Sequence, residues 1–340
     1  MRLTSCRRPS LIDVDDTAED TVRQAVAALA LAALITAPAV AEHWPERPLH
    51  FIVPYPPGGN ADVIGRILAH GLEEKLGQSI IVDNRSGGAG AIGGIAAAHA
   101  APDGYTFLFS ANGPILFAPE LATPRPYLWS RDFQTVAVVT QTPLVVLVGG
   151  NSTITTLDDL VARARSGAGR VVLASGGMAS SNHLFSAYME QQLHLQWTTV
   201  QYRGTTPALN DLIAGHADVT VDQVSSTTPL IAAGTVRALA VTSDHRWPAL
   251  ADVATMPELG YPDMLASTFT AMMAPRGTPE EIVATMNAAV VQAVGDHAVA
   301  ERIEAAGAEI VVMSTREAEA YLAHEAAVWT PIVRDIAARP

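Results

Sequence analysis

LHFIVPYPPGGNADVIGRILAHGLEEKLG, residues 49–77, changes character twice along its length. Phe51, Ile52 and Val53 form an apolar run that reads as a strand, and residues 54–59 form a Pro/Gly-rich turn. Apolar residues then recur at Val63, Ile64, Ile67, Leu68, Leu72 and Leu76, the three-to-four spacing of one buried helix face. Asn60 is the expected N-cap, Asp62 lies in the first turn where a carboxylate suits the helix dipole, and Gly77 is the expected stop. A strand that enters a helix through a tight glycine loop aims several backbone N–H groups at one place. That is a ready anion site. The loop itself, with Tyr55, Gly58 and Gly59, holds no Lys or Arg, so backbone dipoles would do the holding. Asp62 reads equally as a cap or as a residue that orders this loop, and Tyr55 as a cover for a ligand or a prop beneath the turn.

The same strand–loop–helix pattern recurs outward from this stretch. A strand at 79–83 leads into NRSGGAG (84–90), which carries Ser86, Gly88 and Ala89, and then into an Ala/Gly-rich helix at 91–100. A third strand at 105–109 runs into Ser110, Ala111 and Asn112. Strands that alternate with helices are parallel, so loops 54–60, 84–90 and 110–114 fall at one carboxyl edge, where open α/β sheets bind ligands. A Pro-rich irregular stretch (114–132) precedes two short strands, 136–139 and 144–148, with Gln141-Thr142-Pro143 between them.

A second alternating series follows. Thr156 and Asp159 have the spacing of a capping box for a helix to about 166. Strands are expected at 170–175, 195–202, 217–222 and 236–243, with helices at 183–192, 208–214 and 228–233. The strand ends again meet small-residue loops, with Ser175, Gly177 and Ser180 in one, Tyr202, Gly204 and Thr205 in another, and Asp222 at a third edge. Two such series predict two similar lobes facing one another. A crossing strand at 268–273 and three C-terminal helices, the first at 280–294, are expected to return to the first lobe.

The chain has 340 residues, 49% hydrophobic and 16% charged, with a formal charge of −13. That balance excludes a nucleic-acid partner, which needs a clustered basic footprint. Residues 25–41 form an apolar run too short for a membrane span, ending in Ala39-Val40-Ala41 before Glu42, as a signal-peptidase site does. The preceding segment is acidic, with Asp13, Asp15, Asp16, Glu19 and Asp20, so translation is expected to start near Val22 and leave Arg23 as the basic n-region. Cys6, the single cysteine, lies in the segment to be removed. The expected product is a soluble periplasmic protein, cleaved near Ala41.

Catalytic and cofactor motifs do not survive inspection. Gly88-Ala89-Gly90-Ala91-Ile92-Gly93 fits G-x-G-x-x-G, but the next strand ends in Ser110-Ala111-Asn112 without the acidic residue a dinucleotide site requires. Ser180 and His183 share the start of one helix with no placed carboxylate, and read as a cap and an interface histidine. The ten His residues form no H-x-H or H-E-x-x-H, so no metal site is expected. Arg85 and Arg203 are the basic residues of the rim loops, either able to meet a carboxylate and both more usual as solvated surface groups.

Taken together, PYPPGGNADVIGR, VDNRSGGAGAIGG, PDGYTFLF, QYRGTTPALNDLIAGHADVTVDQ, RALAVTSDHRWPAL and MMAPRGTP resemble the Bug/TctC family, the extracytoplasmic solute-binding receptors of tripartite tricarboxylate transporters. The likeness runs from about Trp44 to the last helix. It implies an α/β protein with the type II periplasmic-binding-protein fold: lobe 1 from 42–142 plus 267–340, lobe 2 from 143–266, and a ligand cleft between them. It implies a monomeric, non-enzymatic receptor that needs no cofactor, closes on a small carboxylate and docks to membrane transporter subunits. A membrane sensor partner and a secreted hydrolase are the competing readings. By resemblance, the ligand is held by loops 55–62, 86–89, 175–181 and 202–205, with waters bridging to backbone groups. Two departures, Ala179 where glycine is common and Phe269 where tryptophan is, leave the ligand's identity open.

Overall fold

The computed structural model describes residues 44–167, 171–177, 180–202 and 204–338. The expected signal segment, and the loop residues Met178, Ala179 and Arg203, lie outside the described residues.

The opening stretch folds as read. β1 (Leu49–Val53) leads through the Pro/Gly turn to α1 (Asn60–Leu76), which ends on Gly77 in the left-handed conformation. β2 (Ile80–Asn84), α2 (Ala91–Ala98) and β3 (Thr106–Ala111) follow, and β1 pairs in parallel with both β2 and β3. Phe51, Phe107 and Phe109 are fully buried. Phe51 meets Phe107 edge-on at 6.2 Å between centroids. Gly65 lets α1 close onto this layer, because a Cβ there would lie 2.9 Å from the Phe109 ring.

The irregular stretch contains single helical turns at 113–121 and the short α3 (Trp129–Asp132). Next comes the main departure from the sequence reading. Instead of two strands interrupted at Pro143, the chain forms one continuous β4 (Phe133–Gly149). Residues 133–143 pair antiparallel with β9 (Ser267–Pro275), and residues 144–149 pair with β7 (Val219–Gln223) and β8 (Val236–Val241). Proline breaks a strand when its missing N–H is needed by the ladder. Pro143 sits where the strand hands over from one set of partners to the other. The next N–H, that of Leu144, is taken by the Thr242 hydroxyl at 2.8 Å.

Beyond the crossing, α4 (Leu157–Arg165) starts on the predicted Thr156–Asp159 capping box, with both reciprocal bonds present. β5 (Val172–Ser175), α5 (Ser181–Leu193), β6 (Thr198–Gln201) and α6 (Thr205–Ala214) bring the chain to β7, and α7 (Val224–Ala232) joins β7 to β8. α7 begins four residues before its expected start, with Pro229 inside it. The Thr227 and Thr228 hydroxyls bond the carbonyls of Gln223 and Val224 in the turn before the proline. α8 (Glu280–Val294), α9 (His297–Ala305), an unforeseen two-residue β10 (Glu309–Ile310) and α10 (Thr315–Ala338) complete the chain.

The strands run β2-β1-β3-β9-β4 on one side of the handover and β4-β7-β5-β6 on the other, with β10 and β8 also on β4. The alternation of a two-faced strand explains the apolar run in β4. Leu144, Val146 and Val148 enter one core with Leu173, Val219 and Phe185, while Val145 and Leu147 enter another with Leu209, Leu212 and Val236. All five are fully buried, each contributing roughly 1.5–3 kcal/mol of transfer free energy. The C-terminal segment packs on the first side: Gly71 of α1 faces Ala293 and Val299 of α8 and α9 so closely that a Cβ would meet the Val299 side chain at 2.9 Å.

Candidate ligand-binding site

The three first-side loops converge, as their positions at one sheet edge require. Gly93 packs on Pro54 and on the Arg85 carbonyl, and Gly90, at φ 90°, on Pro114 and the Pro54 carbonyl. Tyr55 is half-buried, and its hydroxyl meets Ser110 and the Ala111 backbone, which places it beneath the turn. Burial pushes its phenol well above the ordinary range. The backbone from Gly87 to Gly90 runs left-handed throughout, including Ala89 at φ 55°, a conformation that costs a β-carbon-bearing residue about 1–2 kcal/mol. Ser86, Gly88 and Ala89 are exposed at this rim.

The helix start differs from expectation by one residue. Gly59 is the N-cap, without a side-chain bond, and Asn60 is the first helical residue. Asp62 works backwards into the loop. Its carboxylate accepts the Gly58 N–H at 2.8 Å, Asn84 Nδ2 at 2.8 Å and Arg66 Nε at 3.0 Å. Arg66 also donates to Asn84 Oδ1 at 2.7 Å, and Asn84 Nδ2 reaches the Tyr55 carbonyl at 3.1 Å. Burial pushes the Asp62 carboxyl up, but the bonds from Arg66, Gly58 and Asn84 outweigh it and hold it below its usual range. The group orders the loop. Arg66 stands four residues after Asp62, a spacing visible in the sequence; Asn84 as a third member was not foreseen. Arg85 pairs with Asp83 at 2.7 Å on the surface.

The second-side loops also meet. The Tyr202 N–H donates to the Ser175 carbonyl at 2.9 Å, and Gly176 lies against Thr205, with room for a Cβ only 3.1 Å from its hydroxyl. Gly177 and Gly204 both adopt positive φ, near 125°. The Tyr202 hydroxyl is committed to Asp211 at 2.6 Å. Ser180 caps α5: its Oγ accepts from the His183 N–H and donates to the Gly177 carbonyl. Burial lowers the His183 pKa, and its buried Nδ1 has no partner.

Asp222 and Ser175 stand at adjacent strand ends, β5 and β7 being paired in parallel, and each is 2% exposed. Asp222 Oδ1 accepts Asn182 Nδ2 and the Gln223 N–H, both at 2.8 Å. Neither Asp222 Oδ2 nor Ser175 Oγ has a partner. Burial pushes the Asp222 carboxyl up to about 6.

One side chain ties the two loop sets together. Asn112, 2% exposed, accepts from the Ser181 hydroxyl at 3.0 Å and donates to the Ser267 carbonyl at 3.1 Å. The predicted residues therefore fall into groups: Tyr55 and Asp62 brace the first loop, Ser180 and Tyr202 are held by their own helices, and Asn112 spans the gap. Gly58, Gly59, Ser86, Gly88 and Ala89 form the open rim, and Ser175, Thr205 and Asp222 the second-side floor. A cavity of about 620 Å³, lined by Gln141, Tyr188, Trp247, Tyr321, Glu325 and Trp329, lies apart from every one of these residues.

Residues 64–338 match the model of the tripartite tricarboxylate transporter family receptor. This chain belongs to that receptor family. Protein BugT of Bordetella pertussis is 35% identical over 306 residues, covering 90% of this chain and 94% of BugT. Among solved structures, MatC of Rhodopseudomonas palustris with bound malate superposes with a TM-score of 0.75 at 30% identity, covering 85% of this chain and 100% of MatC. R. palustris Rpa4515 with adipate gives a TM-score of 0.77 at 31% identity, covering 86% of this chain and 97% of that one. The type II periplasmic-binding-protein fold read from the receptor-family motifs is the fold observed.

Proposed function

We propose that this receptor captures a small di- or tricarboxylate, or a related organic acid, in the cleft between its two loop sets and delivers it to a membrane transporter. The observation that carries the reading is that the described residues of the first-side loops gather at one edge and those of the second-side loops at another, with the Asn112–Ser181 bond joining the two. Support comes from the malate and adipate seen in two relatives of the same fold. In this reading the lobe boundary falls at Pro143 and Ser267, which are paired across β4 and β9, and one loop set is assigned to each lobe.

The energetics suffice without a buried Arg or Lys. Hydrogen bonds to a charged group contribute roughly 1.5–3 kcal/mol each. A micromolar site requires about 8 kcal/mol. Four to six such contacts from backbone N–H groups, Ser175 and Thr205 reach that even after the cost of closure. The protein's negative charge is screened beyond roughly 8–10 Å and does not oppose a local dipole. The export reading accords with relatives described as periplasmic; in the same proposal the protein is a monomer that performs no chemistry on its ligand. Native mass spectrometry of the purified protein, followed by calorimetry with malate and adipate, tests the reading. A co-purifying or titratable carboxylate is expected. Turnover of the bound molecule, or no binding of any organic acid, would overturn it.

A further inference from the structure

Among the described residues, Asp222 is a buried carboxylate without a counter-charge. It lies at the end of β7, where Asn182 in the first turn of α5, Thr205 at the start of α6 and Gln223 and Ser226 at the start of α7 converge on it. Val145 of β4 pairs with it across the sheet and Ser175 stands at the next strand end. None of the described groups acting on it carries a charge. The Thr205 and Ser226 hydroxyls lie near enough to favour the anion, yet neither makes a hydrogen bond of normal geometry to Oδ2. His183, the nearest titratable side chain along α5, is held neutral by burial.

A buried carboxylate in this state is neutralised by a proton or by a cation. The same three helices begin at the strand ends that carry the second-side loops, where the reading above places a ligand carboxylate. Two carboxylates in one desolvated pocket cannot both stay ionised cheaply, and like charge raises the pKa of the fixed one. We propose, resting on that reading, that Asp222 takes up one proton as a carboxylate ligand docks, so that the site loads the anion and a proton together.

The carboxyl formed this way becomes a donor through Oδ2, the oxygen that now lacks a partner. Asp222 thus acts as a positioning residue whose protonation state gates anion affinity. Ligands with an ammonium group beside the carboxylate would behave oppositely, binding to the ionised Asp222 and releasing no demand for a proton.

Titration calorimetry of the full chain with malate and with adipate, between pH 6 and pH 8.5 in buffers of different ionisation enthalpy, tests this. Proton uptake approaching one per ligand at pH 8 is expected, with affinity falling about tenfold per pH unit above the Asp222 titration. In Asp222→Asn, which keeps a donor and removes the charge, uptake falls to zero and affinity becomes flat with pH. Binding by the wild-type protein without proton uptake overturns the proposal and leaves the carboxylate reading standing. Uptake retained in Asp222→Asn assigns the proton elsewhere and also overturns it. Failure of every carboxylate to bind overturns both. The wild-type count needs no variant, so a misfolded Asp222→Asn leaves the test intact.

Discussion

Replacing Asp62 by Asn or Ala removes the brace of the first loop, and its cost follows from the bonds it makes. The carboxylate accepts from Gly58, Asn84 and Arg66, all within 3.1 Å. Bonds to a charged acceptor contribute roughly 1.5–3 kcal/mol each when shielded. The Arg66 side chain is 49% exposed, so its share is held to about 1 kcal/mol or less by solvent screening. Gly58 lies on the exposed rim and regains water when released. The net loss is therefore about 2–4 kcal/mol, or a fall in Tm of roughly 3–6 °C for a chain of this size. Ligand affinity should fall at least tenfold, because the loosened loop must be ordered again on binding. Because the folded-state carboxyl is depressed, its contribution is complete above the ordinary value of 3.8 and fades as pH drops through the lower folded value. Scanning calorimetry at pH 7 and at pH 3, with isothermal titration of malate or adipate, measures both effects. A Tm change below about 1 °C at pH 7, together with an unaltered dissociation constant, would refute the reasoning.

Three further substitutions probe other parts of the molecule. Asn112→Ala removes the Ser181 and Ser267 bonds, and should weaken ligand binding about five- to tenfold and enlarge the liganded radius of gyration in X-ray scattering; an unchanged radius would count against the clamp role. Gly59→Trp should abolish binding while unfolding stays cooperative, because Gly59 is exposed at φ −73°, a conformation any residue adopts; unaltered affinity by calorimetry would remove this loop from the site. Glu325, which accepts from Trp329 Nε1 at 3.1 Å, is pushed up to about 7 by burial, so folding favours its protonated form. Stability should decline as pH rises from about 4.5 to 7, and Glu325→Gln should gain about 1–3 kcal/mol over wild type at pH 8 and nothing near pH 4, read from paired urea melts. Equal stability of the two proteins at pH 8 would show that this carboxyl is not perturbed.

Much of this fold was legible because its signals are local. Phe51 to Leu76 switches from an apolar run to helical spacing through a Pro/Gly turn, and Thr156 with Asp159 announces a helix that begins where expected. The alternation of such units was enough to gather loops 54–60, 84–90 and 110–114 at one edge. What escaped depends on partners far along the chain. The continuity of β4 through Pro143 is decided by Ser267 and Thr242, more than a hundred and just under a hundred residues away, not by the local Gln-Thr-Pro punctuation. The roles of Asp62 and Asn112 are fixed by Asn84 and Ser181, neither of which any local periodicity singles out. Burial is also non-local: among the described residues it brings Asp62 and Asp222 to the same 2% exposure, and it is the lack of a basic partner that sets Asp222 apart.

The handover in β4 has a consequence for how the chain is assembled as a piece of sequence. The protein leaves the first set of strands after Pro143 and comes back at Ser267, and these two residues face each other on one rung of an antiparallel ladder. Opposed residues on such a rung stand about 4.5–5.5 Å apart, the separation that a two-residue hairpin turn closes. The whole intervening stretch is therefore an insert with touching ends. Its ends meet at one rung, but its side chains are not separate: Leu144, Phe185 and Met264 share one buried cluster with Phe117, Phe269 and Trp329. In covalent layout, β4 and β9 form an antiparallel hairpin whose connection runs through β5 to β8 before it closes.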